Sequence, residues 1–197
     1  MKVLLVVTPP GRLSFAASAT VFTEPLAEQY LGAGIRANHE VKLLDLRLSA
    51  EAGLKETLEA FQPDIIGCGG YSMDVNSIKK ICTEAKKIIP EVLTVVGGIH
   101  ATVLPGDFFN DDIDVLVQGE GVDPFKKICE NHEKRQSFEK IPNIYFKRNG
   151  KMIFTWKEPY PPLDSLPFPD RTLTAHLRQY YRVFIENKMV PWASIRG

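Results

Sequence analysis

The chain has 197 residues, 44% of them hydrophobic, and 24 basic side chains balance 24 acidic ones. That length suits one domain of ordinary size plus an appendage, with enough apolar residues for a core of its own. Charge balance removes the field that would draw the chain to nucleic acid or an anionic membrane, and no apolar run reaches about 18 residues, so a small or neutral ligand in the cytoplasm is the expected setting.

Residues 1–8 are a continuous apolar run, followed by a Pro/Gly/Ser loop and then "TEPLAEQYLGAGIRAN", in which Leu26, Tyr30, Leu31 and Ile35 recur at helical spacing. Strand, loop and helix then repeat. "HEVKLLDL" precedes "EAGLKETLEAF", and "PDIIGCGG" precedes "DVNSIKKICTEAKKII", whose Ile78, Ile81, Ala85 and Ile88 or Ile89 form one stripe. The strands "EVLTVVGG" and "DIDVLVQGEG" follow, the second feeding the helix "DPFKKICENHEK". Apolar runs separated by amphipathic helices imply parallel strands buried on both faces. The expected fold is α/β, a doubly wound five-stranded parallel sheet in the order 2-1-3-4-5, Rossmann-like or flavodoxin-like.

Such a sheet binds ligands beyond the carboxyl ends of its strands, here the loops 9–18, 69–74, 97–102 and 119–123. Three of them carry glycine directly after the strand, where the backbone can approach a ligand closely. The candidate contacts are Thr8, Pro9 and Pro10; Gly69, Gly70, Tyr71 and Ser72; Gly97, Gly98, His100, Ala101 and Thr102; and Gly119, Glu120 and Gly121. A histidine beside glycines, as His100 is, suits a metal ligand, a catalytic base or a loop-filling residue. His39, His132 and His176 read as surface residues in helix-end or linker contexts.

Familiar ligands fit poorly. "TPPGRLSFAAS" lacks the GxGxxG of a dinucleotide site, which leaves Asp45 as a strand-end cap rather than a ribose-binding acid. The acidic residues of a phosphoacceptor receiver are missing, and prolines after the first strand make a poor amide cradle for a flavin phosphate. Cys68, Cys82 and Cys129 form no CxxC and read as small buried hydrophobes.

"KVLLVVTPP", "PDIIGCGGYS", "TVVGGIHATVLP" and "DVLVQGEGVDPF", in that order, resemble the landmarks of the cobalamin-binding domain at the front of B12-dependent radical SAM enzymes. The likeness spans roughly residues 1–130, and its specific part is the pairing of the Gly97-Gly98-x-His100-Ala101-Thr102 loop with Gly119-Glu120-Gly121. It implies a corrinoid held over the strand ends, its nucleotide tail running toward the third and fourth strand loops, with Gly97 and Gly98 leaving room for it. Better-known B12 proteins donate a cobalt ligand from a DxHxxG motif in the first loop. No histidine precedes His39 here, so no protein metal ligand is expected and His100 is expected to hydrogen-bond locally or to the tail.

The last third changes character. "IPNIYFKRNGKMIFTW" has β-rich runs around Asn149-Gly150, a tight-hairpin dipeptide. Pro159, Pro161, Pro162, Pro167 and Pro169 then make an extended linker that lies over a neighbouring surface. The resemblance implies three parts: residues 1–135, the cobalamin-binding domain; 136–170, hairpin and Pro-rich linker; and 171–197, the start of a radical SAM domain truncated before its CxxxCxxC motif, with residues from about 171 onward deprived of their partner strands. A [4Fe-4S] cluster and S-adenosylmethionine would belong to the missing barrel, the partner within the parent chain. The parent resembles a methyltransferase or a tetrapyrrole-ester cyclase. The 197 residues alone are expected to bind the corrinoid without catalysis, since the three cysteines are expected far apart on a strand and two helices. The competing reading is a cofactor-free α/β regulatory or partner-binding module.

Overall fold

The computed structural model describes residues 1–9, 21–49, 52–185 and 188–191. At its centre is β1 (Lys2–Val7), whose Leu4 and Val6 enter one core cluster and Val3 and Leu5 the other. All four are fully buried, because a strand with parallel neighbours and helices on both faces has no wet side. β1 pairs in parallel with β3 (Glu40–Asp45) on one side and β4 (Ile65–Gly69) on the other, followed outward by β5 (Leu93–Gly97) and β6 (Val115–Val117). Counting only parallel strands along the chain, this is the expected order 2-1-3-4-5.

Helices α1 (Leu26–Ile35) and α5 (Val122–Glu133) cover one face, through Ile35, Phe125 and Ile128. Helices α2 (Ala52–Phe61) and α3 (Val75–Ile88), with the short α4 (Gly98–Val103), cover the other. The α3 stripe lies where its spacing put it, with Ile78, Ile81 and Ala85 buried. Helix α1 departs from its pattern: Leu26 is 44% exposed, and Gln29 is fully buried. The reason is polar, since the Gln29 amide donates to Glu24 Oε2 (3.0 Å) and to Thr174 Oγ1 (2.7 Å), which brings the C-terminal segment onto this helix.

The hairpin extends the sheet. β7 (Ile144–Arg148) runs antiparallel to β6 and pairs with β8 (Lys151–Phe154), giving seven strands. Asn149 (φ 51°) and Gly150 (φ 75°) both take the left-handed conformation that a type I′ turn needs. A second sheet joins β2 (Val21–Phe22), β9 (Arg182–Ile185) and β10 (Lys188–Pro191).

The described residues from 171 onward are not left without partners. The 3-10 segment Arg171–Tyr180 leads to Tyr181, which is fully buried, stacks on Phe22 at 5.8 Å and donates from its hydroxyl to Asp45 Oδ2 (3.2 Å). Asp45 also accepts from the Arg47 backbone (3.0 Å) as a strand-end cap and is ion-paired with the Arg47 guanidinium (2.6 Å). Glu24, itself buried, pairs with Arg171, and Arg36 pairs with Asp170. Buried polar groups at the β1–β3 edge require partners, and the C-terminal segment supplies them.

Two further expectations are corrected. Cys68 and Cys82 are not far apart: their sulfurs are 4.0 Å from one another in one core cluster, because α3 packs directly over β4. Cys129 lies in the other cluster, and burial pushes its thiol up to about 12. His39 is buried rather than on the surface, tucked under the end of α1 by its own N–H to Ile35 O (3.2 Å), and burial holds its imidazole below the usual range. Among the described residues no helix is long and apolar enough to cross a membrane.

Candidate functional site

Strand register brings the expected loops together. Val7 lies opposite Gly69, and Gly69 opposite Gly97, so the segments after β1, β4 and β5 leave the sheet side by side. The chain turns back between β1 and β4, and a crevice at such a reversal point is where an open parallel sheet receives its ligand. Thr8 and Pro9 flank it, while Pro10 and the rest of the first loop lie outside the described residues.

The glycines here are not equivalent. Gly98 has φ 90°, and a Cβ on it would sit 2.8 Å from Gly70 N and 3.0 Å from Gly70 O. The space a side chain at 98 would take is filled by protein backbone: two loops close on each other, with His100 N donating to Gly70 O (3.3 Å). Gly70 is equally committed, since a Cβ there would lie 2.6 Å from the Asp74 carboxylate, which accepts from Tyr71 N (2.9 Å). Gly97 differs. Its backbone is extended (φ −139°, ψ −159°), open to any residue, and a Cβ would make only ordinary contacts with Val117 at 3.8 Å. Among the described residues nothing demands glycine at 97.

His100 fastens this loop. Its ring is buried, with Nδ1 3.0 Å from Ser72 Oγ and Nε2 2.8 Å from Asp107 Oδ2, and it meets Phe108 edge-on at 5.6 Å. A carboxylate only accepts, so Nε2 donates to Asp107, while Nδ1 pairs with a serine hydroxyl that can either donate or accept. With both nitrogens engaged, the imidazole is a local hydrogen-bonding residue, one of the readings open from sequence. Thr102 carries the network onward: its hydroxyl donates to Gly98 O (2.9 Å) and accepts from Gly119 N (2.8 Å), while its carbonyl accepts from Gln118 Nε2 (3.0 Å). Glu120 Oε1 accepts from Val122 N (2.9 Å) at the start of α5, beside Gly121; its Oε2 is buried without a partner among the described residues.

Thus the described residues expected from sequence lie along one edge, but Thr8, His100 and Ala101 are buried there. Tyr71, expected from the sequence, is exposed here together with four apolar side chains that were missed: Met73, Ile99, Val103 and Leu104, on the segments following β4 and β5, and all five are between 53% and 68% exposed. Apolar groups gathered in this way on a folded surface mark a contact site. Their sequence signal was present, since they interrupt glycine-rich loops where polar residues are usual. Among the described residues no cluster of three His, Cys, Asp or Glu side chains could hold a metal ion.

The profile of the B12 binding domain matches residues 13–128. Among curated proteins, an uncharacterized methyltransferase of Pyrococcus horikoshii is 30% identical over 182 residues, covering 88% of this chain and 39% of that protein. Hopanoid C-3 methylase of Methylococcus capsulatus is 26% identical over 166 residues, covering 80% and 31%. Among solved structures, the cobalamin-dependent S-adenosylmethionine radical enzyme OxsB, with aqua-cobalamin and S-adenosylmethionine bound, shares the fold with a TM-score of 0.74 at 17% identity, over 91% of this chain and 25% of that one. The chain spans 39% or less of the length of each of these proteins.

Proposed function

Because this chain belongs to the B12-binding domain family, we propose that it seats cobalamin across the carboxyl ends of β1, β4, β5 and β6 and presents it to a radical S-adenosylmethionine domain of a longer methyltransferase. The observation that carries this reading is Gly97. The described residues give no reason for a glycine there, yet it stands at the carboxyl edge of the sheet beside the exposed apolar rim of Tyr71, Met73 and Ile99. A corrin is a broad macrocycle with apolar faces and an amide-bearing rim. A side-chain-free seat bordered by apolar groups, with backbone donors and acceptors of the loops after β4 and β5 close by, fits such a body.

Bound cobalamin supplies the chemistry at cobalt by which a methyl group is passed on. The chain's own part is positioning. Gly97 leaves the face clear, the Ser72–His100–Asp107 chain fixes the loop beneath, and Thr102 ties that loop to Gly119. The imidazole of His100 is engaged on both nitrogens within the loop, so its role would be to keep the seat rigid.

In this reading residues 1–135 form the cofactor unit, 136–170 the hairpin and strap, and 171–197 the entry to the radical domain. The [4Fe-4S] cluster and S-adenosylmethionine are held by the rest of the parent. Separation of Cys129 from the Cys68–Cys82 pair supports this, because a cluster needs converging thiolates. Methyl transfer is favoured by the names of both curated relatives. The partners are the corrinoid and the radical domain, not nucleic acid, and the compartment is the cytoplasm, where free buried thiols are the rule.

The test is a titration of the 197-residue chain with hydroxocobalamin, followed by equilibrium dialysis and visible absorbance. Saturable binding is expected. Gly97→Ala should keep the thermal midpoint of the parent chain while weakening binding about tenfold, the equivalent of roughly 1.4 kcal/mol. No binding by the parent chain, or equal binding by Gly97→Ala, overturns the reading.

A further inference from the structure

Asn143 is a hub that no sequence pattern announced. It is buried and holds the left-handed conformation (φ 59°), which asparagine adopts more readily than most residues. Its backbone carbonyl accepts from Gln118 N (2.8 Å) just beyond β6, and its N–H donates to Trp156 O (2.8 Å). Its side chain donates to Glu158 O (3.1 Å) and accepts from Glu158 N (2.8 Å). Four hydrogen bonds thereby pin the start of the Pro-rich strap to the carboxyl end of β6.

Two residues further on, Tyr160 arrives over Gly119. A Cβ on Gly119 would lie 2.2–2.3 Å from Cε1, Cζ and the hydroxyl oxygen of Tyr160, so the phenol rests directly on the glycine backbone. Gly119 also has φ 74° and is bonded through its N–H to Thr102, which places Tyr160 beside the loop that follows β5. The ring is still 52% exposed, and its hydroxyl has no hydrogen-bond partner among the described residues. A flat aromatic face with a free donor is thus held at the rim, two strands from the reversal point, or about 10 Å along the edge.

Resting on the cobalamin reading, we infer that Tyr160 is a cofactor-binding residue that contacts the nucleotide tail. A macrocycle seated at Gly97 puts its outlying polar part, a ribose and phosphodiester rich in acceptors, within the span that the edge offers toward β6. The phenol supplies a donor for those acceptors and a face for the sugar or base. The polar side chains of Thr102, Gln118 and Glu120 close by are bonded within their own loops, and Tyr160 adds an exposed phenol at that end.

The experiment compares two probes on the intact 197-residue chain: hydroxocobalamin, and diaquacobinamide, which has the corrin but no nucleotide tail. Tyr160→Ala is expected to weaken hydroxocobalamin about tenfold, as the loss of a hydrogen bond and a ring contact would, with cobinamide changed less than about twofold. Tyr160→Phe keeps the packing on Gly119 and loses only the donor, and should weaken hydroxocobalamin about threefold. Equal losses for the two probes, or no loss in either variant, overturn the inference while leaving corrinoid binding standing. If the unsubstituted chain binds neither probe, the cobalamin reading falls and the inference with it. Should Tyr160→Ala melt early, Tyr160→Phe decides the matter alone, since a packing role would leave its affinity untouched.

Discussion

Replacing Gly98 by alanine adds one methyl group to a backbone at φ 90°. An L-residue held in that region stores about 1–3 kcal/mol of strain. The new Cβ would also stand 2.8 Å from Gly70 N and 3.0 Å from Gly70 O, which are backbone atoms and not the yielding ends of side chains. They cannot move freely, because Gly70 O accepts from His100 N and the next residue, Tyr71, is tied through its N–H to Asp74. Overpacking of this kind costs a further ~1–3 kcal/mol. The sum, about 2–6 kcal/mol, is a large share of the ~5–15 kcal/mol that holds a typical domain together. Urea denaturation followed by circular dichroism should show the loss as a lower midpoint at unchanged slope. Gly106→Ala is the control: it has open space for a Cβ and no positive φ, and should stay within about 0.5 kcal/mol of the parent chain. A Gly98→Ala protein as stable as that control would refute the argument that loop closure, not ligand room, demands the glycine.

The C-terminal segment and the half-buried acid of α1, Glu28, give two more expectations. Tyr181→Ala should cost about 3–5 kcal/mol in the same denaturation assay, since it removes a fully buried ring stacked on Phe22 and a bond to Asp45; a cost near zero would mean that residues beyond 171 are detached. Burial pushes the Glu28 carboxyl above its usual range, with the nearby Asp45 charge adding to the effect and Arg47 opposing it. The folded chain therefore keeps this proton to higher pH than the unfolded chain does, and the stability linked to it, full below the unfolded value, is lost as pH rises through the folded one. Glu28→Gln should accordingly melt higher than the parent at pH 7, and the gain should disappear below about pH 4; thermal melts across that range that run parallel would contradict the assignment.

What could be read along the chain was what repeats along it. The apolar run of β1, the α3 stripe of Ile78, Ile81 and Ala85, and the Asn149-Gly150 turn each depend on residues within one or two turns of one another, so spacing alone determined them. The order of the parallel strands followed as well, because handedness and short connections leave few alternatives. Cys68 and Cys82 show where this ends: strand and helix were each legible, but the 4.0 Å between their sulfurs depends on how α3 lies across β4. The glycines show it more sharply. "GG" at 97–98 reads as one feature, yet Gly98 is required by a positive φ and by Gly70, while Gly97 is required by neither. Likewise, nothing in "EPLAEQYL" says that Gln29 will be buried, since its partner Thr174 is 145 residues away. Nor does "EPYPP" place Tyr160 over Gly119, because that contact depends on the hydrogen bonds of Asn143. Local periodicity is set by the geometry of the helix and the pleat. Contacts between distant residues are set by which buried donors, acceptors and vacant Cβ positions the closed chain leaves to be matched, and only the tertiary structure decides those.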